Sequence, residues 1–303
     1  MNNKKIGILA RFALLSATII WGTTFFIMEE TIENIGIYSL LAIRFTIAAV
    51  LLSLFLVKRL KKIDRHLLFR GFLLGLFVIT AYILQTYGLA DEATTPGKNS
   101  FLTATYCIIV PFLAWLFKGP RPDRYNIVAA LMCILGITLI SVTGNDFSSI
   151  CTGDLLTLLG GLFYSFHMVA VSVFSKKYDV LLLTMLQFAF SAAVSWALCL
   201  GFETLPASLP MRTTASIIYL ALMATCLCYI LQNIGQKYTP PATASLIMGL
   251  EAVFGVLFSV IFTSETITAK ILSGFILVFL SVVISEVKPF KKPSSEINLQ
   301  NLQ

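Results

Sequence analysis

Residues 82–88 read Tyr-Ile-Leu-Gln-Thr-Tyr-Gly, and residues 229–235 read Tyr-Ile-Leu-Gln-Asn-Ile-Gly. Both copies lie inside long apolar runs. A four-residue identity alone is weak, but two more pairs keep the same order along the chain. Arg44-Phe45 with Ala48-Ala49 matches Gln187-Phe188 with Ser191-Ala192, and the spacing Ala129/Gly136 matches Gly274/Ser281. The offsets are 147, 143 and 145 residues, which short loop insertions reconcile. Self-similarity of this kind makes the chain two copies of one unit.

The composition around these repeats is that of a membrane protein. Of 303 residues, 57% are hydrophobic and only 12% are charged, with a mean hydropathy of +0.88. A soluble domain carries about 25% charged residues to cover its surface, and a disordered chain needs still more. Ten stretches approach the roughly 20 apolar residues that cross a bilayer: 9–28, 36–57, 69–89, 97–117, 125–143, 155–175, 180–201, 212–234, 241–263 and 267–287. Runs such as 40–57 and 271–284 do not alternate in polarity, which excludes a β-barrel.

Lys and Arg are retained on the cytoplasmic side of short loops. Eighteen of the 22 fall at the N-terminus, in alternate loops and in the tail, against Lys98, Arg212 and Lys270 on the other side. Arg44 is left inside span 2. Acidic residues such as Glu29, Glu30, Asp91, Asp146, Asp154 and Glu203 favour the second side. Both termini are therefore expected in the cytoplasm, with the first span uncleaved because no small-x-small site follows it. The net charge of +7 records this topology and does not indicate a nucleic-acid surface.

Five spans per copy is an odd number, so the second copy enters the membrane from the opposite face. The expected fold class is an all-α integral membrane protein, with ten transmembrane helices as two inverted five-helix repeats. The halves are placed at 1–146 and 147–290, with a cytoplasmic tail at 291–303. Inverted repeats are an architecture of secondary transporters, whose site lies near mid-membrane between the halves.

Several motifs, taken in order, resemble the EamA-type branch of the drug/metabolite transporter superfamily. They are Trp21-Gly22, Ala42-Ile43-Arg44-Phe45, Leu250-Glu251-Ala252-Val253-Phe254 and Ser264-Glu265. The likeness covers about 8–143 and 153–287. Ala252 stands where the family often has Pro, and Lys118-Gly119-Pro120-Arg121-Pro122 stands where an acidic residue would mirror Glu265. The resemblance implies a carrier of small metabolites in a bacterial inner membrane, often an exporter of amino acids or related compounds. It also implies a cavity drawn from spans 1, 3, 4, 6, 8 and 9.

Polar side chains within spans are costly and point to function. Arg44 lies roughly 12 Å from one boundary and Glu251 roughly 15 Å from the other at 1.5 Å per residue. They are expected to pair or to share a polar network. Glu251 is the one carboxylate in the membrane core and so the acidic candidate for proton coupling. The expected substrate cavity is formed by Trp21, Thr24, Tyr82, Gln85, Asn99, Thr103, Tyr106, Tyr164, His167, Tyr229, Gln232 and Asn233. Aromatic faces with a few amides and hydroxyls suit a small amphipathic ligand. The alternative for each is hydrogen bonding between helices.

A small-molecule substrate, the lipid bilayer and a proton or counter-solute are the expected partners, with no nucleic acid. No cofactor or metal is expected. The six cysteines read as small apolar fillers. A membrane-embedded enzyme would need converging His, Asp, Glu or Ser groups, and the chain has two His, one of them in a basic loop (His66). A receptor or channel is the other alternative. A nucleotide-driven pump would need a GxxxxGK phosphate loop, which the sequence lacks.

Overall fold

The computed structural model describes residues 3–117, 121–141, 151–263 and 267–287. The charged positions Lys118, Asp146, Glu265, Lys288, Lys291 and Lys292, the Ser264-Glu265 motif and the tail 291–303 lie outside the described residues. All regular elements described are helical. They are α1 (Asn3–Ile32), α2 (Ile37–Phe55), a 3-10 segment (Val57–Lys62), α3 (Arg65–Leu89), α4 (Pro96–Thr103), α5 (Tyr106–Leu116) and α6 (Arg124–Ser141). The second half gives α7 (Thr152–Phe174), α8 (Val180–Phe202), α9 (Met211–Tyr219), a π-helical segment (Leu220–Leu227), α10 (Cys228–Tyr238), α11 (Pro241–Phe262) and α12 (Ala269–Val287).

Eight of these units are long and apolar enough to cross a membrane. Two are composite, Pro96–Leu116 and Met211–Tyr238, while the apolar helices Arg124–Leu139 and Ala269–Ser281 are shorter.

Helix starts follow from local chemistry. Asp64 accepts a hydrogen bond from Leu67 N at 2.6 Å, and Asp179 accepts from Leu181 N at 3.0 Å, each satisfying a donor that the first turn leaves open. Asp123 and Asn126 close a reciprocal cap on α6, with Asp123 N donating to Asn126 Oδ1 at 2.9 Å. The cap of α2 comes from another helix. Gly36 offers no side chain there, and the Glu203 carboxylate at the end of α8 accepts from Tyr38 N at 3.0 Å and Ser39 N at 2.8 Å. That bond fixes the end of α8 to the start of α2.

Helix contacts are made by small residues, as expected where lipid removes the hydrophobic drive and close packing must hold helices together. A methyl at Gly75 would meet Phe190 Cβ at 2.8 Å and Gln187 O at 2.9 Å, so α3 lies tightly on α8. Ser191 adds a hydrogen bond to Gly75 O at 3.1 Å. Gly235 brings α10 onto α1, where a methyl would meet Leu14 Cγ at 2.6 Å. Gly136 does the same between α6 and α12, against Val278 Cγ2 at 2.6 Å. The main pairings are α1 with α11, α1 with α10, α3 with α7, α2 with α8 and α6 with α12.

Phe55, Leu116, Leu200 and Phe202 are exposed on the outside, whereas Arg44, Asn99, His167 and Gln187 are buried. The polar interior and apolar exterior place the chemistry at the centre of the bundle.

Candidate functional site

A cavity whose empty space, solvent at its mouth included, is about 430 Å³ lies among α1, α3, α4, α5, α7, α10 and α11. Trp21, Thr24 and Phe25 line it from α1, and Tyr82 and Gln85 from α3. Thr103 and Tyr106 come from the two pieces of span 4, and Tyr164 and Met168 from α7. Tyr229 and Gln232 come from α10, and Met248 and Glu251 from α11. The duplicated Tyr-Ile-Leu-Gln motif thus delivers a Tyr and a Gln, three residues apart and on one helix face, from each copy to the same wall.

Gln85 organises one side. Its Nε2 donates to Thr103 Oγ1 at 3.0 Å, and its Oε1 accepts from Tyr164 OH at 3.0 Å. Its backbone carbonyl accepts from Asn99 Nδ2 at 3.2 Å. Two glycines one turn before Tyr164 allow α7 to come close enough. A methyl at Gly160 would meet Ala81 O at 3.1 Å, and one at Gly161 would meet Thr103 O at 3.0 Å.

Aromatic rings form the rest. Trp21 meets Tyr229 edge-on at 5.3 Å between centroids, and Tyr82 meets Tyr164 edge-on at 5.7 Å. Tyr106 approaches Tyr164 at 6.5 Å and lies beside the Glu251 carboxyl group. The Trp21 ring is held from behind, its Nε1 donating to Ala224 O at 2.7 Å. Ala224 belongs to the π-helical segment, whose wider hydrogen-bond pattern is met in single turns at functional sites.

Arg44 is not paired with Glu251, which corrects the simplest reading of the two charges. Among the described residues no ion pair joins them. Arg44 Nε donates to Thr225 Oγ1 at 3.2 Å and its Nη1 to Met28 Sδ at 3.3 Å. Its guanidinium stacks 5.0 Å from the Tyr82 ring centroid. Arg44 is fully buried and does not line the cavity, whereas Glu251 does.

Three further expectations fail on helical rotation. Asn99 points behind the wall to Gln85 O and to Thr157 Oγ1 at 2.7 Å. His167 bonds through Nε2 to Gln187 Oε1 at 3.0 Å, and Asn233 Nδ2 donates to Thr184 Oγ1 at 2.8 Å. Each is the inter-helix hydrogen bond that a buried polar group requires. Phe25, Met168 and Met248 do line the cavity, and no sequence signal separates them from core residues.

Among the described residues no three His, Cys, Asp or Glu side chains gather as a metal site. Among the described residues no disulfide joins the cysteines; Cys107 Sγ donates to Ser245 O at 2.7 Å.

Comparison with known proteins adds a family. The model of the EamA-like transporter family matches residues 8–142 and 151–286. An uncharacterized transporter of Archaeoglobus fulgidus is 28% identical over 279 residues, 92% of this chain and 86% of that protein. The uncharacterized inner membrane transporter YedA of Escherichia coli K12 is 24% identical over 298 residues, 93% of this chain and 94% of that protein. A solved crystal structure, 15% identical, aligns with a TM-score of 0.68 over 92% of this chain and 98% of the other. That likeness shows a shared fold.

Proposed function

The chain belongs to the EamA-like transporter family, and from that premise we propose a secondary carrier that moves small amphipathic solutes by alternating access. The solutes are amino acids or related compounds, moved by export or exchange. The observation that carries this reading is one cavity walled by equivalent residues of two sequence copies, Tyr82 and Gln85 from one and Tyr229 and Gln232 from the other. In this reading the solute crosses unchanged and the chain is a carrier in place of an enzyme.

The packing of the helices supports an inverted 5+5 arrangement. Exchanging first-copy spans for their second-copy counterparts turns the α3–α7 contact into the contact between α10 and α1. The same exchange turns α1–α11 into the contacts of α7 with α4 and α5. The pairs α2–α8 and α6–α12 are their own counterparts. Two units of this kind, 1–146 and 147–290, can rock against each other around a fixed site. In this reading both termini face the cytoplasm, which the Lys and Arg bias of alternate loops supports, and the protein sits in a bacterial inner membrane, as the name of the Escherichia coli relative supports.

The test is counterflow in liposomes containing the full chain, using a panel of amino acids, amines, nucleosides and sugars with and without a proton gradient. At least one solute should exchange against itself. Folded protein that exchanges none of them contradicts the carrier reading. Glu251 is the carboxyl group on the wall, and coupling to protons would run through it. Glu251→Gln is then expected to remove the pH dependence of transport, and persistence of that dependence assigns the coupling elsewhere.

A further inference from the structure

We infer that the carried solute is a cationic amphiphile, an amine or quaternary ammonium on an apolar or aromatic body, in preference to a zwitterion or an anion. This rests on the carrier reading above and shifts its solutes from amino acids to the related amines. Among the described residues that line the cavity, Glu251 is the one charged side chain. The nearby basic group, Arg44, is not among the lining residues. It bonds Thr225 and Met28 and lies 5.0 Å from the Tyr82 ring centroid, while its Nη2 has no hydrogen-bond partner. A solute carboxylate would therefore find no cationic side chain on the wall.

The break in span 4 offers no ready anion site either. Span 4 breaks between Thr103 and Tyr106, and a fresh helix start could present free N–H groups to an anion. Here those donors are occupied: Cys107 N donates to Ala104 O at 3.0 Å, and Ile108 N to Thr105 O at 3.0 Å.

What the wall does offer favours positive charge. Trp21, Tyr82, Tyr106, Tyr164 and Tyr229 surround the cavity, and the faces of such rings attract ammonium groups. Gln232 Oε1 has no protein partner and is buried, adding an acceptor to the same wall. One carboxylate facing an ammonium gives a charge-assisted contact about twice as strong as a neutral one. A zwitterion would gain that contact and lose hydration of its own carboxylate with only amide and hydroxyl donors, such as Tyr106 OH, to replace it.

Three probes with the same phenyl body separate the classes: phenethyltrimethylammonium, phenylalanine and phenylacetate. Binding to the full chain in detergent is read by quenching of tryptophan fluorescence, and counterflow in liposomes reports transport. The permanently charged cation is expected to bind at least about tenfold tighter than either other probe, a difference of roughly 1.4 kcal/mol. Glu251→Gln should erase that preference, and Glu251→Asp should keep part of it. If either variant fails to fold, the ranking on the unaltered chain decides. Equal or tighter binding of phenylalanine or phenylacetate, with counterflow intact, overturns the cation preference and leaves the carrier reading standing. Failure of every solute in the wider panel to exchange overturns both.

Discussion

Gln85 ties together α3, α4 and α7 through one side chain and one carbonyl. Replacing it with Leu keeps the volume and leaves Thr103 Oγ1 and Tyr164 OH without their partner, at roughly 1–3 kcal/mol for groups cut off from water. Gln85→Leu is expected to lower solute affinity about tenfold, since 1.4 kcal/mol is a factor of ten, and to lower the melting temperature in detergent. Unchanged affinity would show that Gln85 only holds helices. Arg44 makes the opposite kind of prediction. Its charge is buried without a carboxylate partner, and buried ions are often replaced by apolar groups of similar size at no loss. Arg44→Met should keep stability within about 1 kcal/mol. Arg44→Lys should be less stable, because a point-charge ammonium cannot stack its plane on Tyr82. Thermal unfolding in detergent checks the order, and the reverse order contradicts it.

Helices carry the next level. Apolar stretches were readable because bilayer thickness sets their length, and eight of the ten expected form helices long enough to cross, yet the breaks within them were not. Pro111 predicts a kink in span 4, since it lacks a backbone donor. The structure runs α5 through Pro111 and interrupts span 4 earlier, where Leu102 O accepts both Thr105 Oγ1 at 2.7 Å and Thr105 N at 3.3 Å. A side-chain hydrogen bond competing with the helix leaves no mark in hydropathy. The π-helical segment is likewise silent in the sequence. It sets the rotation of α10, so deleting one residue, Met223, should turn Tyr229 and Gln232 about 100° from the cavity, one residue step of a 3.6-residue turn. The deletion is expected to abolish transport in protein that still inserts and elutes as a single species; retained transport contradicts this role. At the membrane boundary, Lys98 Nζ meets Asp154 Oδ1 at 2.8 Å, with side chains 13% and 1% exposed. Removing one partner of such a pair costs about 3–5 kcal/mol, while replacing both by apolar residues is often neutral. Lys98→Met should therefore lower the melting temperature far more than Lys98→Met with Asp154→Leu, and equal losses would contradict a buried pair.

At the scale of the molecule, hydropathy announced an all-helical membrane protein, and most of the polar cavity lining carries residues that the sequence singles out. Tyr82, Gln85, Tyr229 and Gln232 were legible because duplication marks them. Asn99, His167 and Asn233 were misplaced because a rotation of one residue, invisible without tertiary contacts, decides whether a polar group faces a cavity or a neighbouring helix. Apolar lining such as Met168 and Met248 carries the same signal as any core residue. The central claim is that one site between two halves opens to each side in turn. The direct measurement replaces the native cysteines, introduces Thr103→Cys on the wall, and applies membrane-impermeant thiol reagents to oriented vesicles from each side, with and without a transported solute. The account predicts labelling from either side, never through an open path, and protection by solute from both. Labelling from one side alone, or ion leakage through the unlabelled protein, would contradict it.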